Sequence, residues 1–228
     1  GPDVNHIKNV LRMKPGEQVL ISNGEDRDYL CRLTEISADA VEAEILEERE
    51  ETTELPAKIW LFQGLPKSDK MELIIQKAVE LGAYQIVPVA TKRAVVKLDK
   101  KKEEAKLKRW NAISESAAKQ SKRLIIPEIA PVMSFDEALA FVKDFDSRCI
   151  PYECASGMDS VRQFVSQTGP GQKIAVFIGP EGGFEEIEIE KAREAGVVPV
   201  SLGKRILRTE TAGLALLSVL AFHLEGGL

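Results

Sequence analysis

The chain contains 228 residues, of which 44% are hydrophobic and 29% are charged, and its formal net charge is −5. This composition supports a sizeable hydrophobic core and excludes global disorder, and no hydrophobic run reaches the roughly 20 residues that a membrane-spanning helix needs. The start of the sequence does not have the pattern of a secretory signal peptide, and the three cysteines do not have metal-ligand spacing. We therefore expect a cytoplasmic protein with free thiols and no bound metal.

The first 56 residues are predicted to form a small β-barrel domain. Strands are predicted at 18–21, 29–33 and 40–45, because these runs combine alternation with β-forming residues. The pair Asn23-Gly24 predicts a two-residue turn between the first two strands. An acidic stretch, 47–54, is interpreted as a linker, which places the domain boundary between residues 56 and 57.

Residues 57–228 alternate between strand and helix patterns, which predicts an α/β domain with a mostly parallel sheet. Strands are predicted at 59–62, 86–89, 149–154, 173–178 and 197–200. Helices are predicted at 69–81, 102–121, 135–145, 158–165, 184–195 and 211–224. Ligands of open parallel sheets bind beyond the carboxyl ends of the strands, so the loops that follow these strands are the candidate functional sites.

Charge is distributed unevenly along the chain. Residues 1–57 contain 6 basic and 14 acidic residues, whereas residues 92–123 contain 12 basic and 4 acidic residues. Local charge determines affinity for phosphate groups more directly than net charge does. The segment 92–123 is therefore a candidate nucleic-acid contact, although a charged run on a helix is more often only a solvated face.

The sequence Gly179-Pro-Glu-Gly-Gly183 lies between a hydrophobic strand and a helix. Its glycines allow positive φ and close approach of the backbone to a ligand. Glu181 argues against an anionic ligand, and neither the P-loop nor the dinucleotide-binding glycine pattern is present. A small-molecule site and an ordinary glycine-rich connection are both consistent with this segment.

The second candidate segment, 201–212, combines hydrophobic, cationic and hydroxyl side chains. Arg205 and Arg208 flank Ile206 and Leu207, and Glu210 follows. Such a loop can surround an adenine with apolar atoms while its guanidinium groups face a base or phosphate. The alternative is a cluster of arginine–glutamate ion pairs at the start of the last helix.

Together these segments resemble the signature of the RsmE family. The resemblance is carried by Ile178-Gly-Pro-Glu-Gly-Gly183, Val200-Ser-Leu-Gly203 and Arg205-Ile-Leu-Arg-Thr-Glu-Thr-Ala-Gly213. Segments 6–19, 67–94 and 113–123 are also similar, so the resemblance covers nearly the whole chain in the right order. It implies a SAM-dependent enzyme that methylates N3 of one uridine in the decoding region of 16S ribosomal RNA. The implied fold is a SPOUT domain with a deep trefoil knot, a rare exception to unknotted topology, after a PUA-like β-barrel at 1–56.

The resemblance also implies which residues contact S-adenosyl-L-methionine (SAM). Gly203 is among them because a Cβ there is expected to block the bent cofactor. The expected cofactor-binding residues are Ile178, Gly179, Pro180, Glu181, Gly182, Gly183, Ser201, Leu202, Gly203, Ile206, Leu207 and, at a neighbouring strand end, Glu153.

Uracil N3 carries a proton, so a base or a set of cations has to contribute to the reaction. Arg208 is expected to orient the substrate and to stabilise the uracil anion, with Arg205 beside it. Glu210 is a candidate base, and the alternative is that it only holds an arginine. Neither histidine lies in a candidate loop.

RNA contacts are expected on the basic segment and on one edge of the first domain. The expected contacts are Arg12, Lys14, Arg93, Lys101, Lys102, Lys106, Arg109, Gln120 and Arg123. The partner is 16S ribosomal RNA, free or in the small ribosomal subunit. The resemblance further implies a homodimer, and the hydrophobic helix 211–224 is either its interface, a core helix, or both on different faces.

Three other functions remain as alternatives. A SPOUT enzyme that methylates a ribose 2′-OH is disfavoured, since such relatives tend to have Ser-Leu-Asn where this chain has Ser201-Leu202-Gly203. A non-catalytic RNA-binding assembly factor is disfavoured by the intact arginine–glutamate segment. A plain nucleotide-binding protein is the weakest candidate because the chain has no phosphate loop.

Overall fold

The computed structural model describes residues 1–24, 27–49, 53–96, 98–153 and 157–227. The chain divides into two compact units. The smaller unit contains Gly1–Glu54 and Lys122–Ile125, and the larger unit contains Leu55–Ser121 and Ile126–Leu228. The sequence pattern contains no signal for the return of 122–125 to the smaller unit.

The smaller unit is built around an antiparallel sheet with the order β1-β2-β3. Its elements are α1 (Pro2–Asn5), a π-helical turn (His6–Val10), β1 (Gln18–Ser22), β2 (Asp28–Ile36) and β3 (Val41–Arg49). Ser22 pairs with Asp28, so the connection spans 23–27 and the predicted two-residue turn is wrong. Among the described residues β1 pairs with β2 and β2 with β3, and closure of this sheet into a barrel stays a prediction.

Glu54 holds the segment 122–125 within the smaller unit. Its carboxylate accepts hydrogen bonds from Arg123 Nε at 2.9 Å and from the Leu124 N–H at 3.0 Å. The Arg123 side chain is only 3% exposed. This position corrects the expectation that Arg123 contacts RNA, because a buried guanidinium neutralised by a carboxylate is shielded from phosphate groups.

The larger unit alternates strands and helices. Its elements are β4 (Lys58–Gly64), α2 (Lys70–Glu80), β5 (Gln85–Ala90), α3 (Lys100–Gln120), β6 (Glu128–Ile129), β7 (Met133–Ser134), α4 (Phe135–Phe141), β8 (Ser147–Pro151), α5 (Asp159–Ser166), β9 (Lys173–Ile178), α6 (Glu186–Glu194), β10 (Val198–Val200) and α7 (Thr209–Leu224). The predicted strand at 149–154 ends earlier, at Pro151, and Cys154 lies outside the described residues. The two-residue strands β6 and β7 are too short to produce an alternating pattern and were not predicted.

All the strand pairings described in the larger unit are parallel, which confirms the expected α/β architecture. The sheet order is β10-β8-β9-β4-β5-β6, with β7 beside β5. One hydrophobic cluster packs α2, α3, α5 and α7 against the sheet, and a second cluster contains residues of α4 and α6. Helices therefore cover both faces, as the hydrophobic strands of a buried parallel sheet require.

Local signals explain several helix boundaries. Gly82, with φ of +87°, follows α2 and allows the chain to leave the helix, as the sequence predicts. Ser134 caps α4 and forms a capping box with Glu137. Helix α7 begins two residues earlier than predicted, at Thr209. Within the described part of the chain, no helix is both long enough and hydrophobic enough to cross a membrane.

The adjacent strands β8, β9 and β10 end at one edge of the sheet. The chain that follows β9 is named the glycine loop (179–185), and the chain between β10 and α7 is named the arginine loop (201–208). A shorter segment, 152–153, follows β8. Because parallel neighbours end at the same edge, these three segments are brought together. This is the edge at which open parallel sheets bind their ligands, beyond the carboxyl ends of the strands.

Candidate cofactor and substrate site

A cavity of about 430 Å³ opens at the carboxyl ends of β8, β9 and β10. Its volume lies within the range of roughly 300–1,000 Å³ that is typical of small-molecule sites. Residues of all three loop segments form its wall, together with residues at the starts of α2 and α7. The lining residues are Lys70, Pro151, Tyr152, Glu153, Ile178, Gly179, Pro180, Glu181, Gly182, Gly183, Phe184, Ser201, Leu202, Gly203, Lys204, Arg205, Ile206, Leu207, Arg208, Thr209 and Ala212.

Close backbone packing explains the composition of the glycine loop. A Cβ at Gly179 would lie 3.1 Å from the backbone of Gly183, which has a φ of +65° itself. A Cβ at Gly64, the last residue of β4, would lie only 2.6 Å from Pro180 Cδ. The loop thus folds back on itself against the end of β4. Because its glycines have no side chains, backbone atoms form this wall of the cavity.

Thr209 connects the glycine loop to the start of α7. Its Oγ1 donates a hydrogen bond to the carbonyl of Gly179 at 2.6 Å and accepts one from Gln63 Nε2 at 2.8 Å. Gln63 is fully buried, and its Nε2 also donates to the carbonyl of Gly64 at 3.0 Å. These buried bonds fix the carbonyl of Gly179 at the entrance to the glycine loop.

Glu181 ties the middle of the glycine loop to the start of α2. Its carboxylate accepts a hydrogen bond from the Lys67 N–H at 3.1 Å and lies 3.1 Å from Lys70 Nζ. Desolvation raises the pKa of Glu181, but hydrogen bonds from its own backbone, from Lys70 and from Lys67 outweigh this effect, so its pKa lies below the ordinary value. The acidic residue that argues against an anionic ligand therefore serves as an anchor of the loop.

Glu210, in the first turn of α7, pairs with the same lysine. Lys70 Nζ lies 3.1 Å from Glu210 Oε2. The pKa of Glu210 lies below its ordinary value, because a hydrogen bond from its own backbone N–H and the positive charges of Lys70 and Arg208 outweigh desolvation. Lys70 and Glu210 thus form an ion pair. A lowered pKa makes Glu210 a weaker base than an ordinary carboxylate.

The arginine loop exposes cations beside the cavity. Lys204, Arg205 and Arg208 are exposed and line the cavity, and Ile206 between them is 85% exposed. Within the ranges that the structure describes, Arg205 and Arg208 form no ion pair. The alternative of an arginine–glutamate cluster is therefore wrong for these residues, because Glu210 is paired with Lys70.

The structure brings the predicted site residues together. All the residues expected to bind the cofactor line the cavity: Glu153, Ile178, Gly179, Pro180, Glu181, Gly182, Gly183, Ser201, Leu202, Gly203, Ile206 and Leu207. Arg205 and Arg208 line it as well, whereas Glu210 reaches it through Lys70. Gly203 has a φ of +110°, and a Cβ there would meet only Met158 Sδ at 3.7 Å. Its glycine is thus required by the backbone, and contact of these residues with the cofactor stays a prediction.

Sequence reasoning missed Lys70, Lys204 and Thr209. Lys70 occupies the first turn of α2, where a positive charge is unfavourable because it faces the positive end of the helix dipole. That anomaly is a sequence signal for a nearby pair of carboxylates. Thr209 carries no comparable signal, because its partners lie on distant parts of the chain.

The residues expected to bind RNA are distributed over both units. In the larger unit, Arg93 donates to the Gly182 carbonyl at 3.0 Å, and Arg109 pairs with Glu72 at 2.7 Å. Asp99 caps the start of α3: its carboxylate accepts a hydrogen bond from the Lys102 N–H at 2.9 Å and lies 3.3 Å from Lys102 Nζ. The others are exposed or partly exposed: Lys101, Lys106 and Gln120 in the larger unit, and Arg12 and Lys14 in the smaller unit. No group of His, Cys, Asp and Glu suited to a metal ion occurs in the described ranges.

The sequence matches two family models. Residues 53–221 match the model described as RNA methyltransferase domain, and residues 1–46 match the model described as RNA methyltransferase PUA domain. Ribosomal RNA small subunit methyltransferase E from Bacillus subtilis (strain 168) is 41% identical over 228 residues, which cover 99% of this chain and 89% of that protein.

The fold is similar to solved structures of methyltransferases. A ribosomal RNA small subunit methyltransferase E from Neisseria gonorrhoeae bound to S-adenosyl methionine has a TM-score of 0.82 and 37% identity, covering 95% of this chain and 87% of that one. A putative methyltransferase from Legionella pneumophila in complex with SAM has a TM-score of 0.82 and 35% identity, covering 96% and 89%. These matches confirm the resemblance stated from the motifs, and the chain belongs to the ribosomal RNA small subunit methyltransferase E (RsmE) family.

Proposed function

We propose that this protein transfers the methyl group of SAM to N3 of a uridine in the decoding region of 16S ribosomal RNA. The observation that carries the proposal is one cavity whose walls combine a glycine-rich backbone with arginines that form no ion pair within the described ranges. The first feature suits a cofactor, and the second suits the charge that develops on a uracil ring. Family membership supports both the enzyme class and the cofactor.

The residues around the cavity fit SAM. Gly179, Gly183 and Gly203 are positions where a side chain would collide with backbone or require an unfavourable φ, so the loops approach a ligand through main-chain atoms. Leu202 and Leu207 supply apolar atoms suited to an adenine ring. When bound, SAM supplies an electrophilic methyl group on a sulfonium centre.

The remaining chemistry falls to the side chains. Uracil N3 becomes nucleophilic when its proton leaves, and the negative charge then spreads onto the ring oxygens. Arg208 is proposed to orient the uracil and stabilise this anion, with Arg205 as a second cation. Glu210, with its lowered pKa and its contact to Lys70, is better suited to hold this lysine than to accept the proton.

The same proposal includes four further features: a deep trefoil knot, a homodimer, a completed PUA-like barrel and a cytoplasmic location. Support for the knot is the convergence of the glycine and arginine loops on one cavity at the ends of non-sequential neighbouring strands. Support for a homodimer is that α7 buries Leu217 and Leu220 but exposes Val219 and Phe222, at 41% and 56%. One face thus packs in the core and another is available to a second copy. Action on ribosomal RNA implies the cytoplasm.

RNA binding is proposed to use the basic residues of α3. Reversing Lys101, Lys102 and Lys106 to Glu should reduce the slope of log affinity against log salt by about 1 for each lost phosphate contact. A matched control reverses Lys58, Lys143 and Lys173, which are also exposed. Two of these are the first residues of β4 and β9, at the opposite end of the strands from the cavity. Equal slopes for the two triple variants would reject this interface.

The decisive experiment incubates the protein and SAM with small-subunit RNA, both free and assembled into particles. Digestion and mass spectrometry then locate the added methyl group. One uridine methylated on the base at N3 is the expected product. Methylation of a ribose hydroxyl would instead support the 2′-O-methyltransferase alternative, and absence of any product would favour a non-catalytic assembly factor.

A further inference from the structure

One lysine links the glycine loop to the start of α7. Lys70 Nζ lies 3.1 Å from Glu181 Oε1 in the glycine loop and 3.1 Å from Glu210 Oε2 at the start of α7. Its side chain is 28% exposed and also lines the cavity. Two carboxylates thus share a single ammonium, and both contacts raise the pKa of Lys70, the larger effect coming from Glu210.

Lys70 is positioned by a firmly packed helix. Met71, Ile74 and Ile75 of α2 are buried in the hydrophobic core. The adjacent Lys67 N–H holds Glu181 in addition. The ammonium is thereby presented from α2 to the glycine loop and to the start of α7, two segments that the Thr209–Gly179 hydrogen bond also joins.

The charge arrangement explains why Arg208 forms no ion pair in the part of the chain that the structure describes. Glu210 lies only two residues after Arg208, and its carboxylate is electrostatically coupled to that guanidinium. Lys70 occupies Glu210, while Arg208 forms no ion pair within the described residues. Without the lysine, Glu181 and Glu210 would have no shared counter-ion, and Arg208 would be left as the cation whose charge acts on Glu210.

We propose that Lys70 is a positioning residue for methyl transfer, which anchors the glycine loop through Glu181 and keeps Arg208 available to the substrate by neutralising Glu210. The proposal rests on the function proposed above. It assigns Lys70 no contact with the reacting atoms. Lys70 acts through Glu181 on the affinity for SAM and through Glu210 on the rate of methyl transfer.

The test measures SAM affinity by calorimetry and methyl transfer at saturating SAM and RNA. Lys70→Met should reduce kcat about tenfold to a hundredfold, because small displacements of a catalytic group have effects of this size. It should also weaken SAM binding by a smaller factor. Lys70→Arg should retain most of both activities, since it preserves the charge. Lys77→Met is the matched control: it lies on the same helix and pairs with Glu80, away from the cavity.

A rescue experiment separates positioning from a merely structural role. If Arg208 is captured by Glu210 in the Lys70→Met protein, then adding Glu210→Gln should release it and recover part of the lost kcat. A double variant no faster than Lys70→Met, or a Lys70→Met protein as active as Lys77→Met, would overturn the inference. If Lys70→Met does not fold by circular dichroism, Lys70→Arg decides the matter, since loss of kcat despite a retained charge would contradict the proposal.

The failure of this inference can be distinguished from failure of the proposed function. A wild-type protein that methylates N3 while the rescue fails would remove only the role of Lys70. A wild-type protein that neither binds SAM nor methylates small-subunit RNA would remove both.

Discussion

The glycine loop and the arginine loop border the same cavity but are held in opposite ways. The glycine loop is fixed along its length: Gly179 by Thr209, Glu181 by Lys67 and Lys70, and Gly182 by Arg93. The arginine loop is fixed at its two ends, by Ser201 and by the start of α7, while the residues between present exposed side chains. This difference indicates a division of labour between the two loops.

A cofactor that is bound in every cycle requires a preorganised wall, since ordering a loop at each binding event would cost conformational entropy. A large RNA substrate can order the exposed arginine side chains when it binds, so these side chains do not have to be fixed beforehand. The comparison therefore assigns the glycine loop to SAM and the side chains of the arginine loop to RNA. Each of the following experiments strengthens or weakens this assignment.

The largest effect is expected for Arg208→Ala. Loss of a cation that stabilises the developing uracil anion should reduce kcat about a hundredfold to a thousandfold, whereas SAM affinity should stay within about twofold of wild type. Calorimetry with SAM and single-turnover methylation measure the two quantities. Arg162→Ala is the control, because Arg162 is an exposed arginine on α5 that pairs with the exposed Asp159 and does not line the cavity.

The division of labour would fail if Arg208→Ala weakened SAM binding as strongly as it slowed methyl transfer. The arginine loop would then serve the cofactor along its whole length. Near-normal turnover would instead remove Arg208 from the reaction and transfer the role to Arg205 or Lys204.

A smaller effect is expected for Gly203→Ala, at the point where the arginine loop borders the cofactor. The φ of +110° strains any L residue, and the new methyl group also enters the cavity wall. We expect SAM affinity to fall roughly tenfold, from about 1–3 kcal/mol of strain and lost fit. The RNA affinity of the cofactor-free protein should not change.

Gly171→Ala is the control that separates strain from ligand contact. Gly171 has a φ of +79°, has no atom within 4 Å of the added Cβ, and does not line the cavity. Both variants should lose similar thermal stability, but only Gly203→Ala should lose SAM affinity. Equal SAM affinity in the two proteins would place the cofactor elsewhere.

A residue of this site can be predicted from sequence when its role depends on neighbours in the chain, and not when it depends on distant segments. The glycine segment, Gly203 and the two arginines are recognisable because each is a local pattern next to a strand. Lys70 and Thr209 contact segments that are far away in the chain. Arg123 is not distinguishable by sequence from the other basic residues of its segment, and only the structure shows that it is buried against Glu54. Strand order and long-range hydrogen bonds are properties of packing, so a single sequence does not display them.

Thr209→Val tests the ties of the glycine loop. The substitution keeps the shape but removes the hydroxyl between Gln63 and the Gly179 carbonyl, so one of the two N–H groups of Gln63 Nε2 and the Gly179 carbonyl lose this partner. The expected cost is about 1–3 kcal/mol of unfolding free energy, with a loss of SAM affinity of several-fold from the loosened loop. Denaturant unfolding and calorimetry measure the two effects.

Thr168→Val is the matched control for this change. Thr168 is also buried, and its hydroxyl donates to the Val165 carbonyl at 2.8 Å, but it does not line the cavity. It should lose stability while retaining SAM affinity. If both threonine variants bind SAM equally well, the fixed geometry of the glycine loop is not needed by the cofactor.

The smallest effect is expected for the pH dependence of stability that Glu210 contributes. Its pKa in the folded protein lies below the ordinary value of 4.5, so its contribution is fully present above that pH and is lost as the pH falls through the folded-state pKa. Glu210→Gln should therefore be less stable than wild type at pH 7, by well under about 1 kcal/mol for a partly exposed pair. The difference should disappear in acid.

The paired measurement is the unfolding free energy of both proteins from pH 7 down to pH 3, with Glu80→Gln as the control. Glu80 pairs with Lys77 away from the cavity, so its removal leaves the site unchanged. Glu210→Gln should keep most of its methyl transfer, because Arg208 stays available when residue 210 carries no charge, and a large loss of turnover would contradict the role assigned to Lys70. A variant that loses the acid-sensitive stability yet keeps full turnover would show that Glu210 belongs to the scaffold, and that only the arginines of this loop act on the substrate.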